Sequence, residues 1–309
     1  MQTATVQHLA AQRSLNLTDY ETEYDPEYGI LWGFMNPQAA PSVTLKLLED
    51  VRTHDRLFEG NGGRVFHEGE HRPVNYYVTG SRMQGVYNLG GDLAYFLQCI
   101  ERRDRGALMN YAMLCVDNLY PRVHNYFIPN LITISLVQGD ALGGGFEGAL
   151  ASNVIIAEEQ AKMGLPEILF NLFPGMGAYS LLARRVGPRL AEAMMLSGNL
   201  YPATKLHEMG LVDMVVPEGQ GEMAVYDYVQ RMHKRRNGVA AIYQARQTVF
   251  PVTHEELMKI TTIWVDAALR LEAKDLRVMT RIVHSQSYRK QSTTAKPLAA
   301  GEKQASVKG

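Results

Sequence analysis

Leu131-Ile132-Thr133-Ile134-Ser135-Leu136-Val137-Gln138-Gly139-Asp140-Ala141-Leu142-Gly143-Gly144-Gly145-Phe146-Glu147 is the stretch whose reading decides the fold. Its first seven residues are uncharged and rich in β-branched side chains, the composition of a buried strand. The glycines then turn the chain, and residues 146–151 read as a helix. Val154-Ile155-Ile156-Ala157 follows as a second strand. Strand, helix and strand in alternation imply an α/β architecture.

Upstream, Ile30-Leu31-Trp32-Gly33-Phe34-Met35 reads as an early strand, stopped by Asn36-Pro37. Residues 43–56 carry apolar side chains at helical spacing. A Gly-rich loop at 59–63 and a polar stretch lead to a strand at 75–80. Residues 86–93 approach the glycine pair Gly90-Gly91, with Asp92 placed to cap a helix over 93–102. A further helix is expected over 107–123. From about Leu190 the pattern is mainly helical, with candidates at 225–236, 238–249, 254–271 and 274–285. The organisation read from this is a loosely ordered segment at 1–25, a core at 26–225, a helical C-terminal region at 226–288 and a disordered tail at 289–309.

Composition narrows the function classes. The 309 residues are 46% hydrophobic and 20% charged, with a formal net charge of -1. That balance gives no general attraction to nucleic acid or to an anionic membrane. The basic run His233-Lys234-Arg235-Arg236 is short and reads as a solvated helix end. Cys99 and Cys115 are the only cysteines, too few to staple a chain of this size and without metal-ligand spacing. Reduced thiols in a cytoplasmic protein, with no metal and no cofactor, are the simplest expectation. The first residues lack the apolar core of a secretory signal, and no apolar run reaches bilayer length.

Four segments carry chemistry. In Leu142-Gly143-Gly144-Gly145-Phe146-Glu147 the glycines let backbone approach a ligand, and the following helix start offers unpaired N–H groups to a developing oxyanion. Glu147 follows within one helical turn. Taken alone, the same glycines serve equally for close strand–helix packing. In Gly164-Leu165-Pro166-Glu167 a carboxylate follows a proline-fixed backbone; alone, it reads as a helix N-terminal charge. Glu158 and Glu159 are alternatives that read as solvated strand-end positions. Asn88-Leu89-Gly90-Gly91-Asp92 is a second glycine turn that could present another N–H toward the first. Asn171-Leu172-Phe173-Pro174-Gly175-Met176-Gly177 is a fixed irregular turn, with Phe173 and Met176 as candidates for an acyl-chain pocket or for plain core.

In order and spacing, Gly-Gly-Asp at 90–92, Leu-Gly-Gly-Gly-Phe-Glu at 142–147, Gly-Leu-Pro-Glu at 164–167 and Phe-Pro-Gly-Met-Gly at 173–177 resemble the crotonase (enoyl-CoA hydratase/isomerase) superfamily. The resemblance runs over residues 75–215. Within it, residues 88–93, 143–147 and 171–177, with Ile263-Trp264-Val265-Asp266, are most similar to the bacterial diffusible signal factor synthases. It implies a spiral of ββα units with a helical C-terminal region that assembles trimers or hexamers. It also implies that Glu147 and Glu167 are the acid/base pair and that the Gly91 and Gly144 N–H groups form the oxyanion hole. Phe173, Met176 and Trp264 become the acyl-chain pocket. The implied activity is dehydration of a 3-hydroxyacyl-acyl carrier protein to a cis-2-enoyl chain, then thioester hydrolysis. A receiver domain of a sensor kinase is the implied partner. A conventional enoyl-CoA hydratase or isomerase, and a non-catalytic module binding a signalling protein, are the alternatives.

Overall fold

A computed structural model describes residues 17–294; the expectations for 1–16 and 295–309 lie outside the described residues. The strands are β1 (Tyr20–Asp25), β2 (Ile30–Met35), β3 (Arg64–His67), β4 (Glu70–Pro73), β5 (Tyr76–Ser81), β6 (Val86–Asn88), β7 (Ile132–Val137), β8 (Asp140–Leu142), β9 (Val154–Glu158), β10 (Lys162–Gly164), β11 (Leu200–Pro202) and β12 (Met214–Val216). The helices are α1 (Leu45–Gly60), α2 (Leu93–Glu101), α3 (Arg105–Val123), α4 (Gly144–Leu150), α5 (Ala178–Val186), α6 (Pro188–Ser197), α7 (Ala203–Glu208), α8 (Gly221–His233), α9 (Arg236–Val249), α10 (His254–Ala268) and α11 (Ala273–Thr294).

Six strands form the main sheet in the order β1-β2-β5-β7-β9-β12, and four shorter ones form a second sheet, β11-β10-β8-β6. β2, β5, β7, β9 and β12 run parallel; β1 joins antiparallel at the edge. Each turn of chain sends one strand to the main sheet, one short strand to the second sheet, and then a helix. The units are β5-β6-α2, β7-β8-α4, and β9-β10 followed by a 3₁₀ turn (Pro166–Phe170) and α5. This is the expected spiral of ββα units.

Every residue of β7 is buried, which explains its unbroken apolar and β-branched run. One face of the main sheet (Ile30, Trp32, Tyr76, Ile132, Ile134, Ile156) is covered by Val225, Tyr228 and Val229 of α8. The other packs Val137, Ile155 and Ala157 against Ala141 of β8, Met163 of β10 and the helices α4 and α5. The interior polar groups of this face are paired: Thr133 and Asn153 bond each other, and Ser135 Oγ lies 2.7 Å from Ser152 Oγ. No helix among the described residues is long and apolar enough to cross a membrane.

Several expectations change. Tyr20–Asp25 is a strand, although it lies in the segment read as loose; its burial alternates at Tyr20 and Thr22, and the intervening glutamates disguise the period. The polar stretch after the Gly-rich loop is the exposed β3–β4 hairpin, and β11 and β12 interrupt the region read as mainly helical. Glu158, read as a solvated strand-end residue, is buried. Its carboxylate accepts the free N–H of Gly221 at the start of α8 (3.0 Å) and Gln160 Nε2 (2.7 Å). α11 also runs into the segment read as tail.

Candidate active site

The two glycine turns meet where β6 and β8 end side by side in the second sheet. Asn88, fully buried, accepts the Gly90 N–H on its Oδ1 (2.9 Å) and so fixes the first turn. A strap from Val43 pairs with this turn, Val43 N–H donating to Gly90 O at 2.7 Å. Tyr111 of α3 closes the arrangement: its hydroxyl donates to Val43 O (2.5 Å) and accepts from Asp92 N–H (3.3 Å). Asp92 also caps α2, accepting from Tyr95 N–H at 3.0 Å.

The second turn places Gly144 at the first position of α4, where a helix N–H has no partner within the helix. Among the described residues neither Gly91 N–H nor Gly144 N–H donates a hydrogen bond within the chain. They converge: Gly91 N lies 3.6 Å from the point where a Cβ on Gly144 would sit. Gly143 has φ 48, a conformation that strains any other residue, and a Cβ there would come within 2.3 Å of Glu167 Oε1. The glycine run therefore admits a carboxylate directly beside the two free amides.

Glu147 sits on the first turn of α4 and is buried. Its Oε1 accepts the N–H groups of Met176 (3.0 Å) and Ala178 (2.8 Å), so the irregular turn before α5 is built around this carboxylate. Burial pushes its pKa up, and the backbone N–H bonds oppose that shift by favouring the charged form. Glu167, in the 3₁₀ turn, has only its own backbone N–H as such a donor, and its buried Oε2 is without a hydrogen bond. Burial, then the Glu147 charge, push its pKa up to about 8. Burial thus raises both carboxyls, Glu167 to about 8, while the Met176 and Ala178 N–H bonds favour the charged form at Glu147. Cys115 of α3 lies close enough that, after burial, the Glu147 charge is the next cause raising its thiol pKa.

Both glutamates, both glycines and Cys115 line a cavity of about 210 Å³. That is below the roughly 300–1,000 Å³ of pockets that enclose a drug-sized ligand, and it suits a slot for one chain. Met176 and Trp264 line it. Trp264 of α10 packs on Gly175, where a Cβ would come within 2.4 Å of its own Cβ, and meets Phe96 edge-on at 5.0 Å. Thr261, one turn earlier, donates to Gly175 O at 3.1 Å. Phe173 does not line the cavity. Leu172 and Pro174 face it, while Phe173, partly buried, packs against the cluster built from α2, α3 and α10. Tyr111, Val43 and Thr261 carry no motif; they act through single hydrogen bonds, which leave no pattern in a sequence.

Comparison with known proteins identifies the family. The profile described as enoyl-CoA hydratase/isomerase matches residues 79–274. A 2,3-dehydroadipyl-CoA hydratase of Escherichia coli (strain K12) is 45% identical over 84 residues, which is 27% of this chain and 33% of that protein. A putative enoyl-CoA hydratase of Thermus thermophilus is 31% identical over 136 residues, 44% of this chain and 51% of its own length. The aligned part thus spans between a third and a half of these relatives. Among solved structures, DspI of Pseudomonas aeruginosa superposes with TM-score 0.62 at 22% identity, covering 75% of this chain and 80% of that one. Human mitochondrial delta3-delta2-enoyl-CoA isomerase superposes with TM-score 0.69 at 17% identity, covering 89% and 100%. The chain belongs to the enoyl-CoA hydratase/isomerase family, within the crotonase superfamily.

Proposed function

We propose that this protein is a cytoplasmic, trimer- or hexamer-forming enzyme that dehydrates a 3-hydroxyacyl thioester on an acyl carrier protein and then hydrolyses the thioester, releasing a cis-2-unsaturated fatty acid of the diffusible signal factor type. The observation that carries this reading is a carboxyl pair, Glu147 and Glu167, in one cavity with two free backbone N–H groups, Gly91 and Gly144.

The chemistry follows from that pair. The thioester carbonyl oxygen accepts from the Gly91 and Gly144 amides, which stabilise the enolate formed when the Cα–H bond breaks. The ionised carboxyl takes the α-proton and the protonated one gives its proton to the 3-hydroxyl, which leaves as water as the C3–O bond breaks. In the second step a carboxylate removes a proton from water, whose oxygen bonds to the thioester carbon. The C–S electrons leave on the carrier thiolate, which takes up that proton. The same two amides hold the tetrahedral oxyanion. Closure of the Gly175 turn by Trp264 and Thr261 supports this reading, because it holds Met176 and the chain-facing wall rigidly against the pair.

The second reading is an enoyl-CoA hydratase, in which the same pair runs the reverse addition on a CoA thioester. The local identity to hydratases favours it. Parallel incubation with a 3-hydroxyacyl-carrier protein and with crotonyl-CoA separates the two. Free unsaturated acid from the first supports the synthase; hydration of the second alone contradicts it.

A further inference from the structure

The end of the cavity away from the glutamates is polar. α1 and α3 run side by side in the same direction, as three contacts along them show: Tyr111 OH to Val43 O, Asn118 Nδ2 to Leu48 O (3.2 Å), and the Phe58 and Tyr126 rings at 5.6 Å. Leu48, Val51 and Asp55 on α1 face Cys115, Leu119 and Arg122 on α3 across the slot. From the Tyr111 level, beside the free amides, to the Arg122 level is roughly 16 Å at about 1.5 Å per helical residue.

At the far level the lining changes from Leu and Val to Tyr20, Asp55, Thr79, Tyr87, Arg122 and Tyr126. Asp55 is 1% exposed; its Oδ1 accepts from Tyr77 OH (2.8 Å), which lies 2.7 Å from Tyr20 OH, and its Oδ2 has no partner. Arg122 is 6% exposed and is held by Ser152 Oγ (3.0 Å), Thr79 Oγ1 (2.9 Å) and Ile134 O (2.9 Å). Catalysis as described above uses none of these groups.

We propose that the Asp55–Arg122–tyrosine cluster is a polar floor to the acyl slot, which ends a plain chain at roughly ten to twelve carbons and accepts a hydroxyl-bearing chain end where it refuses a longer methyl-ended one. The inference rests on the acyl-thioester reading of this cavity. Carbon–carbon single bonds near 1.5 Å advance about 1.3 Å per carbon in a zigzag, which converts the slot into that chain length after room is left for the floor side chains. Up to the floor, each methylene replaces water with Leu, Val and Phe contacts. Beyond it, a methyl end meets hydroxyls, a guanidinium and a carboxylate that it cannot hydrogen-bond. A hydroxyl at the chain end can bond to them.

Equilibrium binding of free saturated fatty acids of graded length to the full chain tests the floor without requiring turnover. Affinity should rise about fourfold per methylene, peak near twelve carbons, and fall at least tenfold by about fourteen. A twelve-carbon acid with a terminal hydroxyl should bind at least tenfold tighter than the plain acid of equal reach. Val51→Phe, one helical turn above Asp55, should shorten the limit by about four carbons, and Asp55→Ala, provided that its melting is wild-type-like, should lengthen it. Affinity that climbs steadily past sixteen carbons overturns the floor and leaves the acyl reading intact. Equal rejection of the hydroxylated and the longer plain chain overturns its polar character. No binding at any length contradicts the acyl reading itself, and the floor with it.

Discussion

The two ends of one cavity bury similar groups to opposite effect. At the inner end Asp55 and Arg122 lie among tyrosine, serine and threonine hydroxyls; Arg122 donates to four oxygens and Asp55 Oδ1 accepts from Tyr77, so the cluster is matched except at Asp55 Oδ2. At the other end two carboxyls lie close together and, among the described residues, no cation bonds either, Glu167 Oε2 is unpaired, and the two amides have no partner. Matched polar groups in a low-dielectric interior give rigidity and shape. Unmatched ones hold free energy that a ligand or a developing charge can recover. The difference assigns shape to the inner end and chemistry to the outer one.

The sharpest way to break this contrast is to remove the outer charge. Glu147→Gln keeps an oxygen for the Met176 and Ala178 N–H groups, so the turn should hold, while turnover of a 3-hydroxyacyl-carrier protein should fall about 10²–10⁴-fold. Unchanged product formation, followed by mass spectrometry, would mean that the pair is not catalytic.

A second substitution isolates one amide. Gly144 is the first residue of α4, a position that tolerates proline. Gly144→Pro deletes the N–H and should lower kcat about 10²–10³-fold with little change in melting temperature. A collapsed melting temperature would trace the loss to folding instead.

The third is a stability effect with a defined sign. Glu167 holds its proton to about pH 8 in the folded chain, against an ordinary value of 4.5. Between those values the folded state binds more protons than the unfolded one, so stability falls as pH rises through the window. Glu167→Gln removes that dependence, and above pH 8 the inactive variant should be the more stable by a few kcal/mol. Denaturant titrations at pH 5 and pH 8.5 measure the difference; equal pH slopes in both proteins would place the Glu167 proton elsewhere.

What the sequence makes legible divides along the same line. β7, β9 and the turn into α4 are read directly, because a fully buried parallel strand is a continuous apolar run and glycine turns are local. β6 and β8, three residues each, are too short for any period, yet their ends bring Gly91 beside Gly144. Glu147 and Glu167 are candidates only through their place beside glycines; their proton sharing comes from burial, which a sequence does not state. The inner cluster is invisible from the chain alone, since Tyr20, Asp55 and Arg122 come from three distant elements and each is unremarkable in its own segment. Phe173 shows the converse: the right residue type in the right motif, yet outside the lining of the cavity.

The proposed chemistry is tested most directly at the Glu167 carboxyl. Infrared difference spectra of wild type against Glu167→Gln, recorded across pH, should show a protonated carboxyl band at pH 7 that disappears near pH 8 and is absent from the variant. A wild-type protein with no protonated carboxyl at pH 7 would contradict the one-proton pair on which the proposed chemistry depends.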